Sequence, residues 1–231
     1  MEGKTYKEYR ARLMSQKMLV DELATMTDAQ VMRQLGSPGK KPEGLFAPET
    51  YFFRKGDTDF DVLKQAYARL DLVAEDAWNT RADDVEVLSK YQLITMASII
   101  EKETGAGFER PTISGVFNNR LRIGMRLQTD PTVIYGMGDS YDGNIRRKDL
   151  RTDTPHNTYT RYGLPPTPIA MPGEASIRAA ANPKKTDFLY FVGKGDGTHY
   201  FSKTLSEHNN AVVKYQLGGK RRAFSSNPAS N

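Results

Sequence analysis

The residues best suited to chemistry lie in the segment ASIIEKET, residues 97–104, where an apolar run stops at two glutamates, Glu101 and Glu103. A carboxyl group among apolar neighbours stays protonated at neutral pH, because desolvation penalises its charged form and raises its pKa. Such a group can donate a proton to a breaking bond. The alternative is that both glutamates cap the solvent end of a core helix, the usual place for this residue type.

The spacing predicts one helix over residues 89–104, in which Glu101 and Glu103 point to nearly opposite sides. Small residues precede Glu101 by one turn and leave room for a ligand, whereas bulky residues stand beside Glu103 (Ala97 and Ser98; Met96 and Ile99). Arg120 is a possible ion-pair partner of Glu103. Such a pair would keep Glu103 charged and give it a structural role. We therefore predict Glu101 as the acid.

The remaining periodicity indicates elements that position this helix. Helical spacing covers residues 4–36, with a cap at Asp28, and a long amphipathic helix begins at Thr58. Further helices are predicted at residues 111–124, 174–181 and 206–217, and a β-hairpin at residues 188–202 around KGDG. Residues 137–173 read as one long, ordered loop. We expect an α+β fold with a helical, lysozyme-like core and a small antiparallel hairpin.

Composition narrows the classes of function. The chain has 231 residues and no cysteine, so disulfides and thiolate metal sites are excluded. Its three histidines are far apart, and we predict neither a metal site nor a cofactor. A net charge of +5 favours acidic partners such as nucleic acid, anionic membranes or wall polymers, but no nucleic-acid-binding motif accompanies it. No apolar run approaches the ~20 residues that span a bilayer.

Seven stretches, taken together, resemble the YceG-like family of endolytic murein transglycosylases. They include PEGLFAPETYFF, ASIIEKET, VFNNRLRIGMRLQTDPTVIYG and NTY, and they follow the family's order. Their positions are residues 42–53, 97–104, 116–136, 157–159, 163–166, 176–183 and 188–209.

The resemblance implies cleavage of the β-1,4 bond after N-acetylmuramic acid within a glycan strand, leaving a 1,6-anhydro end. It implies that Glu101 donates a proton to the glycosidic oxygen and then takes one from the sugar's own 6-hydroxyl. Ordinary glycosidases need two carboxyl groups, whereas this chemistry needs one.

The resemblance also implies substrate contacts for Gln128, Asp130, Asn157 and Tyr159. Gln128 and Asp130 would hold substrate or position Glu101, and Asn157 and Tyr159 would bind N-acetyl groups or the developing positive charge. Each of the four can instead pin the long loop to the core. Asp130 can also be a turn residue before Pro131, or the base or nucleophile of a hydrolase.

The chain departs from the family pattern in places. His156 stands where an aromatic residue is expected, and Thr167 and Met171 stand where glycine and asparagine are common. We predict an N-terminal helical segment over residues 1–50, a YceG-like domain over 51–217 and a disordered tail over 218–231. Members usually carry a transmembrane helix and a LysM-like module, neither of which is found here.

The resemblance further implies a protein anchored once in the bacterial inner membrane, with its catalytic domain in the periplasm, acting on peptidoglycan strands and associating with penicillin-binding proteins. Three other functions stay open at this point. They are a hydrolytic muramidase using Glu101 and Asp130, a glycan-binding module without turnover, and, as the weakest, a nucleic-acid binder.

Overall fold

The computed structural model describes residues 1–218, and it confirms the predicted α+β class: a mostly helical domain with one two-stranded antiparallel sheet. In chain order the elements are α1 (Tyr6–Met14), α2 (Asp28–Gln34), α3 (Asp59–Asn79), α4 (Lys90–Glu103), α5 (Arg110–Arg122), α6 (Asp130–Met137), α7 (Arg147–Arg151), α8 (Glu174–Ala181), β1 (Tyr190–Gly193), β2 (His199–Ser202) and α9 (Leu205–Tyr215).

Side-chain caps begin several of these helices. The Thr58 side chain accepts from the backbone N–H of Asp61 and starts α3, and Ser89 does the same for α4 through Gln92. The predicted cap at Asp28 is wrong by one residue, because Thr27 caps α2 and Asp28 is its first helical residue. The negative Asp28 then stands in the first turn, where the helix dipole favours it.

Helix α4 forms the centre of the core. Its residues from Leu93 to Ile100 are all buried, and it packs most extensively on α8, with further contacts to α3, α5 and α6. A helix that is apolar on all sides must be enclosed on all sides. The two glutamates at its end therefore emerge where the core stops.

The hairpin pairs Tyr190 with Ser202 at one end and Gly193 with His199 at the other. Helix α9 covers it, and the Phe191 ring meets the buried Phe117 of α5 edge-on, with ring centroids 5.9 Å apart. The sheet is thus attached to α5, and His199 is fixed at the start of β2.

In two regions the secondary structure differs from the one predicted from the sequence. Residues 130–137 form α6, which was not predicted, with Pro131 in its first turn. The long loop over residues 137–173 contains the short helix α7.

The first fifty residues pack into the same core as the rest, with Tyr6 and Tyr9 stacked on Phe46.

The predicted tail lies, from residue 219 onward, outside the described residues. Across residues 1–218, none of the helices combines the length and the apolar character needed to cross a membrane.

Candidate active site

The Glu101 carboxyl group is held by three donors on two neighbouring elements. Arg110 donates to Oε1 at 3.2 Å, while the backbone N–H of Gly173 and the hydroxyl of Ser176 donate to Oε2 at 3.0 and 2.7 Å. Only 6% of the Glu101 side chain is exposed. Because a carboxylate at the start of a helix satisfies its free N–H groups, Glu101 ties α4 to the N-terminus of α8.

The Glu103 carboxyl group lies on the other side of α4, as the helical spacing predicted, in a different environment. Glu103 is half-buried, and the hydroxyl of Thr129, immediately before α6, donates to its Oε1. The predicted ion pair with Arg120 is wrong: no nitrogen of Arg120 lies within 4 Å of the carboxylate, and its guanidinium donates to the carbonyls of Leu127 and Leu189 instead.

Burial raises the pKa of the Glu103 carboxyl to about 7, and the nearby negative charge of Asp130 adds to the rise. The hydrogen bond from Thr129 and the charges of His199 and Arg120 act in the opposite direction. Of the two glutamates at the end of α4, Glu103 has the raised pKa that we expected of the acid. Glu101, the acid predicted from the sequence, forms an ion pair with Arg110, and its role as the acid stays a prediction.

Asp130 and Tyr159 form the polar surface beside Glu103. Asp130 is exposed at the start of α6, and the hydroxyl of Tyr159 donates to its Oδ1 at 2.5 Å. Burial, and then the charge of Asp130, raises the pKa of Tyr159, so the phenol stays protonated and keeps this donor. An exposed carboxylate oriented by a phenol thus stands next to a half-buried carboxyl group.

Gln128 is the only residue other than glycine with a positive φ, 49°, among residues 1–218. Its backbone N–H donates to the carbonyl of Thr158 at 3.2 Å, which ties the segment before α6 to the loop that carries Tyr159. Such a conformation costs on the order of 1–3 kcal/mol and tends to be kept at functional sites. The partly exposed Gln128 stands two residues from Asp130.

Asn157 is fully buried, and its side chain forms hydrogen bonds with other residues of the chain. Its amide donates to the carbonyls of Asp149, Leu150 and Thr152, and its Oδ1 accepts from the N–H of Tyr159 at 2.8 Å. This geometry favours the alternative in which Asn157 pins the long loop. Through that loop it holds Tyr159 in place.

Two of the three departures from the family pattern contact each other. The Nε2 of His156 and the hydroxyl of Thr167 are 2.9 Å apart, and the His156 ring packs against Tyr135. Burial, and then the charge of Lys41, lowers the pKa of His156 to about 4, so the ring is neutral. The third, Met171, is fully buried in the core. His156, Thr167 and Met171 thus help to pack residues 137–173 against the core.

A cavity of about 550 Å³ lies elsewhere, between α5 and residues 183–188, and Glu103 and its partners do not line it. Its basic residues include Lys185 and Lys203, which pair with Asp84 and Asp187. Within the described residues, no group of three histidine or acidic side chains is arranged to hold a metal ion.

Fold and site together define a class: a mostly helical α+β domain with an acid–base cluster at the end of its central helix. The family model of the YceG-like family matches residues 1–214, and the chain belongs to that family.

Similar proteins agree with this assignment. An endolytic murein transglycosylase of Bacillus subtilis (strain 168) is 43% identical over 173 residues, 75% of this chain and 48% of that protein. One of Streptococcus pneumoniae serotype 2 (strain D39) is 30% identical over 178 residues, 75% of this chain and 32% of that protein. The chain thus spans half or less of these relatives' length.

A solved structure supports the fold independently. The crystal structure of a yceG-like protein from Listeria monocytogenes, lmo1499, superposes with a TM-score of 0.73 at 34% identity, covering 91% of this chain and 74% of that one.

Proposed function

We propose that this chain is a lytic transglycosylase domain that cleaves the β-1,4 bond after N-acetylmuramic acid within peptidoglycan strands, with Glu103 as its acid and base. The observation that carries the proposal is the half-buried Glu103 carboxyl, which Thr129 contacts and whose pKa is raised by burial to about 7. At that pKa it can both give and take a proton near neutrality. The names of the Bacillus and Streptococcus relatives supply the substrate class.

The reaction needs one carboxyl group in two protonation states. Protonated Glu103 gives its proton to the glycosidic oxygen as the bond from that oxygen to C1 breaks. The resulting carboxylate then removes the proton of the same sugar's 6-hydroxyl as O6 bonds to C1. Glu103 ends protonated again, and the products are a 1,6-anhydro end and a free 4-hydroxyl, with no water consumed.

The residues around Glu103 would orient its carboxyl group, stabilise the developing charge and bind the sugar. Thr129 orients the carboxyl group through its hydroxyl. The exposed Asp130 carboxylate, oriented by Tyr159, stabilises positive charge that develops at C1. Gln128, held at a strained φ beside them, offers its amide to the sugar. Glu101 is assigned to structure, because three donors already occupy its oxygens.

The test is product mass. Purified domain is incubated with uncrosslinked glycan strands, and the released fragments are analysed by mass spectrometry. The proposal expects ends lighter by one water molecule than hydrolysed ends, and Glu103→Gln abolishes them. Ends carrying the extra water would instead support the two-carboxylate muramidase, and tight binding without any products would support a glycan-binding module.

The same proposal places the action outside the cytoplasm, where peptidoglycan lies, and beside the penicillin-binding proteins that extend its strands. Cleavage there would end the growth of new strands. Crosslinking in cells, followed by identification of the captured proteins, tests this: recovery of penicillin-binding proteins supports it, and their absence contradicts it.

A further inference from the structure

Another buried acid, Glu109, and a histidine, His199, have no role in the mechanism proposed for Glu103. Glu109, just before α5, accepts from the backbone N–H of His199 at 2.9 Å through Oε1 and contacts the ring Nδ1 at 2.7 Å through Oε2. Both side chains are largely buried, with exposed fractions of 6% for Glu109 and 14% for His199. Two contacts to one carboxylate fix the ring in position and orientation.

The geometry also fixes the roles of the two ring nitrogens. Because the acceptor at Nδ1 is a carboxylate, Nδ1 carries a hydrogen and donates it to Glu109. Nε2 makes no hydrogen bond within residues 1–218. It is also not one of the buried polar atoms that lack a partner in that range, so it is accessible to solvent. The Glu109 carboxylate compensates a positive charge on the ring when Nε2 takes up a proton.

The pair is linked to Glu103 through space and through the chain. A positive charge on the His199 ring lowers the pKa of the Glu103 carboxyl. Thr104, the residue after Glu103, donates its hydroxyl to Glu109 Oε2 at 3.5 Å. The other charged groups that act on Glu103 are Asp130 from α6 and Arg120 from α5.

We propose that His199, oriented by Glu109, is a positioning residue for the reaction: its ring stabilises the carboxylate that Glu103 becomes after giving its proton to the glycosidic oxygen. This rests on the proposed function. A carboxylate formed in a desolvated place is costly unless positive charge or a donor faces it. The charge of Arg120 also acts on Glu103, but its N–H groups donate to two backbone carbonyls, whereas Nε2 of His199 makes no hydrogen bond within residues 1–218.

The test uses substitutions that separate the two nitrogens. The amide of asparagine reproduces the Nδ1 donor, so His199→Asn keeps the hydrogen bond to Glu109 and removes Nε2. Glutamine places its amide near Nε2, so His199→Gln leaves Glu109 without its ring partner. The control is His156→Gln, which keeps the contact to Thr167 through the atom that replaces Nε2.

The primary readout is the carboxyl titration of Glu103, followed by NMR in protein labelled at the glutamate carboxyl carbon, with Glu103→Gln identifying the signal. Without the imidazole of residue 199, we expect the midpoint of Glu103 to be about one pH unit higher in both His199 variants and unchanged in His156→Gln. We also expect the basic limb of the pH–rate profile for strand cleavage to move to higher pH, with a rate at neutral pH lower by roughly tenfold.

A structural role alone predicts a different pattern, because His199→Asn keeps the bond that holds the hairpin. If the Glu103 midpoint in His199→Asn equals that of the wild type, or lies lower, the inference is overturned. The NMR titration does not require turnover. A chain that forms no glycan products would therefore refute the proposed function while the coupling between His199 and Glu103 was still measured.

Discussion

Glu101 and Glu103 are two residues apart at the end of one helix, yet their carboxyl groups lie in contrasting surroundings. Glu101 is surrounded by a guanidinium, a backbone N–H and a hydroxyl, whereas one hydroxyl donates to Glu103. Both residues are partly buried, so burial alone does not distinguish them. The difference lies in compensation: three donors face the Glu101 carboxyl, which holds elements together, whereas a single hydroxyl donates to Glu103, whose pKa is raised by burial.

Glu43 extends the comparison to a third carboxyl. Burial raises the pKa of Glu43 to about 7, as at Glu103, but its oxygens accept from the N–H of Tyr6 and the hydroxyl of Tyr135. The charge of the exposed Glu8 also adds to the rise, as that of Asp130 does at Glu103. A raised pKa by itself therefore does not identify a catalytic carboxyl, and the proposal for Glu103 depends on the particular groups around it.

The largest expected effect is on Glu103 itself. Glu103→Gln removes the transferable proton while keeping an acceptor for Thr129, so the rate of strand cleavage falls at least about 1,000-fold. Because no charge is left to desolvate, the free energy of unfolding at pH 8 does not fall. Cleavage rates and urea unfolding are measured on the same preparation. Cleavage at more than a tenth of the wild-type rate would contradict the assignment.

A smaller effect is expected at Asp130. Its negative charge contributes to the raised pKa of Glu103, so Asp130→Asn lowers that pKa and moves the basic limb of the pH–rate profile to lower pH. The rate at neutral pH falls roughly tenfold, because the acid is then less often protonated.

The matched control for Asp130 is Tyr159→Phe, which removes the 2.5 Å hydrogen bond but keeps the charge. This variant slows cleavage and leaves the limb in place. If both variants moved the limb equally, the charge of Asp130 would not be the cause.

Glu101→Gln should separate stability from catalysis. Glutamine weakens the contact to Arg110 and places an amide hydrogen where one of the donors now points, so the free energy of unfolding falls by about 2 kcal/mol. The cleavage rate of the folded protein stays within about threefold of the wild type. Urea unfolding with Arg110→Met and the double variant completes a cycle, in which the losses are less than additive because the partners are shared. A folded but inactive Glu101→Gln would return the acid to Glu101.

The smallest effect on activity is expected at Glu43, where the change appears in the pH dependence of stability. The pKa of Glu43 is raised from 4.5 in the unfolded chain to about 7 in the folded one. Its stabilising contribution is therefore full below pH 4.5 and is lost as the pH rises through about 7, by on the order of 3 kcal/mol. Glu43→Gln removes this part of the slope and leaves cleavage unchanged. An unaltered slope in urea unfolding between pH 4.5 and pH 8 would contradict the prediction.

Local patterns were enough to predict much of the fold. Helices α3 and α4 begin next to Thr58 and Ser89, where their starts were predicted, and α8 spans the predicted residues 174–181. The KGDG turn joins two antiparallel strands, as predicted. These features depend on neighbours within a few residues. Helix α6 was missed because its polar residues, which interrupt the apolar pattern, face Glu103 and the long loop rather than solvent alone.

The choice between the two glutamates depended on contacts distant in sequence. Helical spacing placed them correctly on opposite sides, but the small Ala97 and Ser98 accommodate the chain itself: Ser98 accepts from the N–H of Ile169 at 3.0 Å. The space that suggested a ligand near Glu101 is filled by the segment leading to Gly173. Polar groups near Glu103 come from parts of the chain distant from α4, so local patterns could not reveal these contacts (Thr129, Asp130 and Tyr159).

The account depends on a proton held by Glu103 at neutral pH, and titration of that carboxyl by NMR in the wild-type domain measures it directly. We predict a midpoint of about 7 for the signal that disappears in Glu103→Gln. A midpoint near the ordinary value of 4.5 would show that Glu103 is charged at neutral pH and would contradict its role as the acid.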